Sequence, residues 1–364
     1  MIEAPTHVES GEGEKPAQTW DCGTLVYTKT GLITLFVFLL WGSFSFNLMM
    51  MVVPSILPLK LMSLGASNTL IGLLITSVFP LFGMFISPYL SFKSDYLRTR
   101  LGRRKPFFIF SLPFVTLSIL FLAFSEDIAH FLHHAGLLGM LSPATATIAV
   151  IGVCVVVFQF SDVVVSSIYN YIFNDTVPIA LIGRFFGLMQ MVCGGIAFLY
   201  NYFIFKYAES HMKEIFTGTA ILYFLGIGMM CLFVKEGEYP PVTEKEHDNT
   251  RGFAGFKTFF RESFSHKFYW TKFLHSITPM FGVALWPFSI FYYKEMGLSL
   301  AYVGKAAAVT AVASIAAAYF ASIFIDRSGH VHAILAGFSG PSTGDKYQQV
   351  QQRMDELARE IVGP

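Results

Sequence analysis

The feature that most constrains this chain is a series of eight long apolar stretches. A helix needs about 20 mostly apolar residues to cross the hydrocarbon core of a bilayer, and each of these stretches is long enough. The pattern therefore predicts an all-α integral membrane protein with many spans. We place the spans near residues 31–57, 68–92, 105–125, 147–173, 184–206, 214–234, 269–292 and 302–325.

The composition excludes two other classes of protein. The chain is 54% hydrophobic and only 13% charged, and its mean hydropathy of +0.56 lies well above the usual balance of a soluble domain. Its net charge of +1 provides no general attraction to phosphate, so we expect no nucleic-acid partner. The four cysteines lie far apart, form no CxxC pair and predict no disulfide framework.

Most of the 25 Lys and Arg residues fall on one side of the predicted membrane. If the N-terminus is cytoplasmic, the cationic loops are cytoplasmic too, as positively charged loops usually are. We therefore expect a multi-pass protein of the plasma membrane or bacterial inner membrane, with its N-terminus in the cytoplasm. The densest cluster lies between spans 2 and 3 and consists of Lys93, Arg98, Arg100, Arg103, Arg104 and Lys105.

One acid lies deep inside a predicted span. Asp162 is near the middle of span 4, where an ionisable side chain is costly and is a functional candidate by default. Gln159, Ser166 and Tyr169 fall on the same helical face at spacings of three or four residues. We interpret this face as a site for proton coupling or for binding solute hydroxyl groups. The alternative is a structural hydrogen bond between helices.

Other polar residues inside the spans are weaker candidates for the same cavity, because a lone Asn or His in a span also serves to hold helices together. They are Asn47, Gln190, Asn201 and His275. Outside the spans, His130 and His134 are four residues apart, which suits a metal pair on a helix. We prefer the simpler explanation, a solvated or interfacial amphipathic segment, and predict no metal and no cofactor.

The chain repeats itself. "GASNTLIG" at residues 65–72 matches "GLSLAYVG" at residues 297–304, and "SFKSD" at 91–95 corresponds to "SIFID" at 322–326. Both segments lead from an outer loop through an even-numbered span to a cytoplasmic acid. Internal repeats of helical sets are typical of secondary transporters, which bind solute at the interface between the repeats.

These features resemble the major facilitator superfamily. The loop "SFKSDYLRTRLGRRKPF" at residues 91–107 is similar to that family's G-x-x-x-D-R-x-G-R-R motif, in the longer form of the sucrose transporters and the glycoside–pentoside–hexuronide cation symporters. "DTVPIALIGRFFGL" at 175–188 resembles the loop 4–5 element, and "DRSG" at 326–329 resembles a second copy of the loop 2–3 motif.

The resemblance implies a helical bundle and a division of the chain. We expect a tail at 1–30, a complete six-span N-terminal bundle at 31–234, a cytoplasmic linker at 235–267, spans 7 and 8 of a second bundle at 268–327, and a loop with an amphipathic helix at 328–364. Family members have twelve spans, so we expect the chain to be C-terminally incomplete. The alternative is a genuine eight-span protein.

The resemblance also implies a function and a gate. We expect a secondary active transporter that moves a small organic solute, a sugar or glycoside, by alternating access with protons or sodium, and that acts as a monomer in the bilayer. The alternatives are transport of another small solute and a non-transporting membrane protein. No Walker loop, G-x-S-x-G, HExxH or dinucleotide fingerprint occurs, so we predict no enzyme. The implied gate consists of Asp95, Gly102, Arg103, Arg104, Asp175, Arg184, Asp326 and Arg327. Within it we expect Asp175 to pair with Arg184.

Overall fold

The structure is a computed structural model that describes residues 19–238 and 288–328, with single helical positions at 261, 264, 265, 270, 271, 274 and 277. Within these residues, seven helices are long and apolar enough to cross a membrane. Six coincide with the first six predicted spans, and the seventh, Leu300–Ala317, overlaps the last one. Most of the predicted span 269–292, including His275, lies outside the described residues.

The chain forms ten α-helices and a small hairpin in the described ranges. Residues 20–27, within the predicted N-terminal tail, form an antiparallel hairpin in which Trp20 pairs with Tyr27. The elements are β1 Trp20–Cys22, β2 Leu25–Tyr27, α1 Lys29–Ser63, α2 Asn68–Gly72, α3 Val78–Tyr96, α4 Lys105–Ala123, α5 Ser125–His134, α6 Pro143–Thr176, α7 Ile179–Leu199, α8 Met212–Phe233, α9 Ser289–Glu295 and α10 Leu300–Ser328.

Two of the spans contain wide helical turns. A π turn at Leu73–Ser77 joins α2 to α3, so that Asn68–Tyr96 forms one continuous span. A second π turn at Tyr200–Ile204 extends α7 to Tyr207. Such turns shift the register of a helix and occur often at functional sites.

The first six spans pack into one bundle. Helix α1 lies between α8 and α7, α4 lies between α8 and α6, and α3 packs on the far side of α6. Glycines permit close approach at several crossings: a Cβ on Gly42 would lie 3.1 Å from the Met230 Cβ. A buried hydrogen bond 2.5 Å long joins the Ser55 and Tyr200 hydroxyls of α1 and α7. Helix α10 packs along α7 at the edge of this bundle.

The internal repeat in the sequence is also a repeat in local structure. Gly65 and Gly297 have the same φ of 76°. The N–H of Gly65 donates to the Met62 carbonyl, and the N–H of Ala66 donates to the Leu61 carbonyl. At the second turn, Gly297 and Leu298 form the two corresponding bonds. This is the Schellman arrangement, in which a glycine with positive φ ends a helix. Two residues later, Ser67 and Ser299 each accept an N–H bond of 3.3 Å at the start of the next helix.

The two ends of the bundle differ in charge. We call the end that carries residues 97–104 the basic face and the opposite end, which carries α5, the α5 face. On the α5 face, Glu126 pairs with Lys60 at the end of α1, and Asp127 pairs with Lys213 at the start of α8 at 2.6 Å. Helix α5, which the sequence predicted as an amphipathic segment, is therefore tied to two spans.

Candidate functional site

A network of ion pairs joins three spans at the basic face. Its centre is Arg104, whose side chain is only 1% exposed. The Arg104 guanidinium donates to Asp175 at 3.0 Å, to Asp95 at 2.5 Å and to the Ser94 hydroxyl. It also lies 4.7 Å from the centre of the Tyr171 ring. One cation therefore holds the end of α3, the start of α4 and the end of α6 together.

Arg103 completes the network. Its Nε and Nη2 atoms donate to the two carboxylate oxygens of Asp175 at 3.1 and 2.7 Å, a two-pronged contact that fixes the carboxylate orientation. The expected pair between Asp175 and Arg184 is wrong in this structure. Arg184 lies exposed on α7, whereas the buried Asp175 carboxylate turns towards α4 and takes Arg103 and Arg104 as partners.

A glutamate that follows span 6 caps the start of α4. The Glu236 carboxylate accepts the backbone N–H bonds of Arg103 at 2.8 Å, Arg104 at 2.9 Å and Lys105 at 2.7 Å. Helix α4 has no side-chain cap of its own. An anion at this position satisfies donors that the helix cannot satisfy and interacts favourably with the helix dipole.

Gly102 makes room for this carboxylate. Its φ of 109° lies in the left-handed region that favours glycine, and a Cβ there would lie 2.6 Å from the Glu236 Cδ. Two features therefore favour glycine at position 102, one of the predicted gate residues: its backbone conformation and the close approach of Glu236.

The N-terminal hairpin covers the same region. The Cys22 Sγ lies 3.5 Å from the backbone oxygens of both Asp175 and Val177. The Thr24 hydroxyl accepts the backbone N–H of Glu238 at 2.8 Å. The hairpin therefore bridges the end of α6 and the segment that carries the capping carboxylate.

The remaining predicted gate residues lie elsewhere. Asp326 and Arg327 occupy the last turn of α10, and their side chains lie outside the described part of the chain. The ion-pair network itself is built within the first six spans. The role of all these residues as a gate between two halves stays a prediction.

A second polar site lies in the middle of the bundle, around Asp162. The Asp162 side chain is buried near the centre of α6, and the Ser166 hydroxyl donates to its Oδ1 at 3.3 Å, as the spacing predicted. Within the described residues, no Lys, Arg or His forms an ion pair with this carboxylate. Its charge, when present, has no cation in contact to compensate it.

The other two residues of the predicted face connect α6 to its neighbours. Gln159 donates through its Nε2 to the backbone oxygen of Leu74, which lies in the π turn of span 2. Tyr169 stacks on Phe46 of α1, with ring centres 4.2 Å apart, and its hydroxyl lies near Ser43 and Asn47. The structure thus gathers Asn47 with the Asp162 face.

Several buried polar atoms of α1, α6 and α8 have no hydrogen-bond partner among the described residues. They include the Gln159 Oε1, the Tyr223 hydroxyl and the Trp41 indole N–H. Tyr223 of α8 is fully buried and lies within electrostatic range of Asp162 and Tyr169. The backbone oxygen of Trp41 lies against α8 at Gly226, three residues from Tyr223. Buried polar groups without partners are uncommon, and each one calls for an explanation.

Two predicted cavity residues do not join this site. Asn201 donates to the Ala197 oxygen of its own helix at 2.8 Å, and Gln190 is exposed on α7. We define the Asp162 site by the buried residues Asp162, Gln159, Tyr169 and Tyr223, with the partly buried Trp41 of α1 as a further candidate.

Sequence reasoning missed Glu236 and Tyr223. Glu236 belongs to a charged segment after span 6 that reads as solvated linker, and Tyr223 is one of 16 tyrosines in a chain rich in aromatic residues. The one sequence signal for Tyr223 was its spacing. It lies three residues after Ala220 and four before Ile227, so the three residues share the buried face of α8.

Comparison with known proteins agrees with this architecture. The family model for "MFS/sugar transport protein" matches residues 38–288. The General alpha-glucoside permease of Schizosaccharomyces pombe (strain 972 / ATCC 24843) is 27% identical over 177 residues, which amount to 47% of this chain and 31% of the permease. The match thus spans about a third of that relative's length. No solved structure matches the chain at a significant level. Since the family model covers well over half of the 364 residues, the chain belongs to the MFS/sugar transport protein family.

Proposed function

We propose that this protein is a secondary active transporter that moves a small sugar or glycoside across a membrane by alternating access, coupled to protons. The observation that carries the proposal is the Asp162 site, where a buried acid lies in the middle of the bundle with the unpartnered polar atoms of Gln159 and Tyr223 near it. Membership of a sugar transport family and the likeness to an alpha-glucoside permease support it.

The chemistry of the site favours a neutral ligand rich in hydroxyl groups. The Tyr223 hydroxyl can donate and accept, the Gln159 Oε1 can only accept and the Trp41 N–H can only donate. A buried polar atom left without a partner costs about 1–3 kcal/mol. Hydroxyl groups can satisfy all three atoms. The indole of Trp41 and the rings near it provide flat apolar surfaces against which a sugar ring can pack.

Asp162 is the group we assign to coupling. An ionised carboxylate inside a membrane lacks the stabilisation that bulk water gives, and no cation among the described residues contacts Asp162. A proton relieves that cost, and it can be lost again when the site opens to water. A sodium ion could act in the same way, so the experiment must separate the two.

The basic face supports a proposal for orientation and gating. We assign it to the cytoplasm, because positively charged loops are retained there. The contacts of Arg103 and Arg104 with Asp95 and Asp175 then brace spans 2, 3 and 4 at the cytoplasmic end. Alternating access requires the contacts at the cytoplasmic end to break when the protein opens to that side. This supports a role for the ion-pair network as a latch.

The test is uptake by the purified chain in proteoliposomes. Radiolabelled α-glucosides such as maltose are offered with an imposed proton gradient, with a sodium gradient and with neither, and exchange is measured between equal concentrations inside and outside. We expect accumulation only with the proton gradient. Asp162→Asn should abolish accumulation but retain exchange, because exchange needs solute binding without net proton movement.

Matched controls make the outcome specific. Asp127→Asn replaces an exposed acid on the α5 face and should accumulate sugar like the parent chain. Tyr223→Phe should weaken solute binding, whereas Tyr202→Phe, at an exposed tyrosine, should not. Full accumulation by Asp162→Asn would remove the coupling role, and failure of every sugar in both uptake and exchange would contradict sugar transport.

A further inference from the structure

The α5 face carries two histidines whose geometry is that of a metal clamp. His130 and His134 occupy successive turns of α5 and are exposed. Their Nε2 atoms lie 3.1 Å apart, and their ring centres are 4.3 Å apart. We propose that this pair is a surface binding site for a divalent transition-metal ion such as Cu²⁺ or Zn²⁺, independent of solute transport.

The distance between the two nitrogens fits simultaneous coordination. Nitrogens 3.1 Å apart and each about 2.0–2.1 Å from a metal subtend an angle of about 100° at that metal. This value lies between the square arrangement of Cu²⁺ and the tetrahedral arrangement of Zn²⁺. Both nitrogens can therefore bind one ion once each ring turns its lone pair towards a point beside the line that joins them.

The surroundings leave the pair available. Glu126 and Asp127, the acids in the first turn of α5, are engaged by Lys60 and Lys213. Within the described ranges no group of three or more His, Cys, Asp or Glu is arranged to hold a metal, so water completes the coordination. The ion pairs hold α5 against α1 and α8, which fixes the helix on which both ligands stand.

The neighbouring histidine provides a matched control. His133 lies on the same helix, but its Nε2 contacts the Leu141 backbone oxygen at 3.2 Å. It therefore stands beside the site without sharing in it. The competing explanation for the short contact is a hydrogen bond in which the two rings share a proton, which needs no metal.

The test is Cu²⁺ binding to the purified full chain, with any affinity tag removed, followed by electron paramagnetic resonance at less than one equivalent of Cu²⁺. We expect a two-nitrogen signal in the parent chain and in His133→Ala. His130→Ala and His134→Ala should each lose that signal and bind at least about tenfold more weakly, since even the loss of a group that only orients a ligand costs about 10- to 100-fold.

Zn²⁺ should displace Cu²⁺ from the parent chain at excess concentration. The proposal is overturned if His130→Ala and His134→Ala bind Cu²⁺ as the parent does, or if His133→Ala is as weak as they are. Gel filtration of each variant in detergent checks that the fold is intact, and all three positions are on the surface of a short helix, where alanine is well tolerated.

Discussion

The cap that Glu236 places on α4 can be tested by Glu236→Gln, which keeps the size of the side chain and removes its charge. The carboxylate accepts three backbone N–H bonds of 2.7–2.9 Å, from Arg103, Arg104 and Lys105. Hydrogen bonds to a charged group contribute about 1.5–3 kcal/mol each and neutral ones about 0.5–1.5 kcal/mol. The favourable interaction with the helix dipole adds about 0.3–1 kcal/mol.

The amide of glutamine still offers one oxygen, so only part of this contribution is lost. We expect the local stability of the start of α4 to fall by about 2 kcal/mol, allowing for the non-additivity of neighbouring bonds. Each 1.4 kcal/mol is a factor of ten in an opening equilibrium, so the three amides should exchange about 30-fold faster with deuterium.

The assay is hydrogen exchange measured by mass spectrometry on the protein in lipid nanodiscs, followed in peptides that contain residues 103–105. Glu238→Gln is the matched control. Glu238 uses its backbone N–H to bond Thr24, and its exposed carboxylate makes no contact with α4 among the described residues. Equal exchange in the two variants, or no acceleration in Glu236→Gln, would refute the capping role.

Three further changes probe the same face. Gly102→Ala should lower the unfolding temperature in detergent by more than Gly136→Ala. Both glycines have positive φ, but of the two only Gly102 would bring its new Cβ against another group, the Glu236 carboxylate. Equal shifts in unfolding temperature would contradict the close approach of Glu236. Arg104→Lys should destabilise the protein by about 3 kcal/mol in urea unfolding, because a buried lysine cannot reach Asp175, Asp95 and Ser94 together and so loses hydrogen bonds to charged groups; a change under about 1 kcal/mol would contradict that. Thr24→Val should release the hairpin and make it the first site of limited proteolysis, and unchanged cleavage would show that the Thr24 bond does not hold it.

The membrane-spanning helices could be predicted because lipid imposes one requirement on all of them. A span must form all of its backbone hydrogen bonds internally and present about 20 apolar residues to the lipid. This run of apolar residues is a local signal in the sequence. The helix ends were less accurate. Helix α1 runs from Lys29 to Ser63, beyond the predicted 31–57, because polar residues such as Lys60 continue the helix past the hydrocarbon and find partners on the α5 face.

The composition of the ion-pair network was largely predictable, but its pairing was not. Asp95, Arg103, Arg104 and Asp175 were all expected near the basic face, and the structure joins them. The expected partner of Asp175 was Arg184, nine residues away in the sequence. Nearness in sequence misled here, since the chain turns at Pro178 and α7 carries Arg184 to an exposed side of the bundle.

Contacts between distant segments left no signal in the sequence. Glu236 lies more than 130 residues from the amides it caps, and nothing in "KEGEYP" distinguishes it from a solvated acid. The Asp162 site was predictable only through its single charge. Ser166 followed from helical spacing, whereas Tyr223 comes from α8, which packs on α1 and α4, so its approach to Asp162 depends on how the whole bundle packs.

The most direct test of the account is the position of its two faces relative to the membrane, because the assignment of Asp162 to a solute path across the bilayer depends on it. Single cysteines at Arg100 and Glu126, in a chain whose four native cysteines are replaced, are labelled in intact cells with a reagent that cannot cross the membrane. We predict labelling of the Glu126 position from outside and of the Arg100 position only after the cells are opened. Labelling of both positions from the same side would contradict the account.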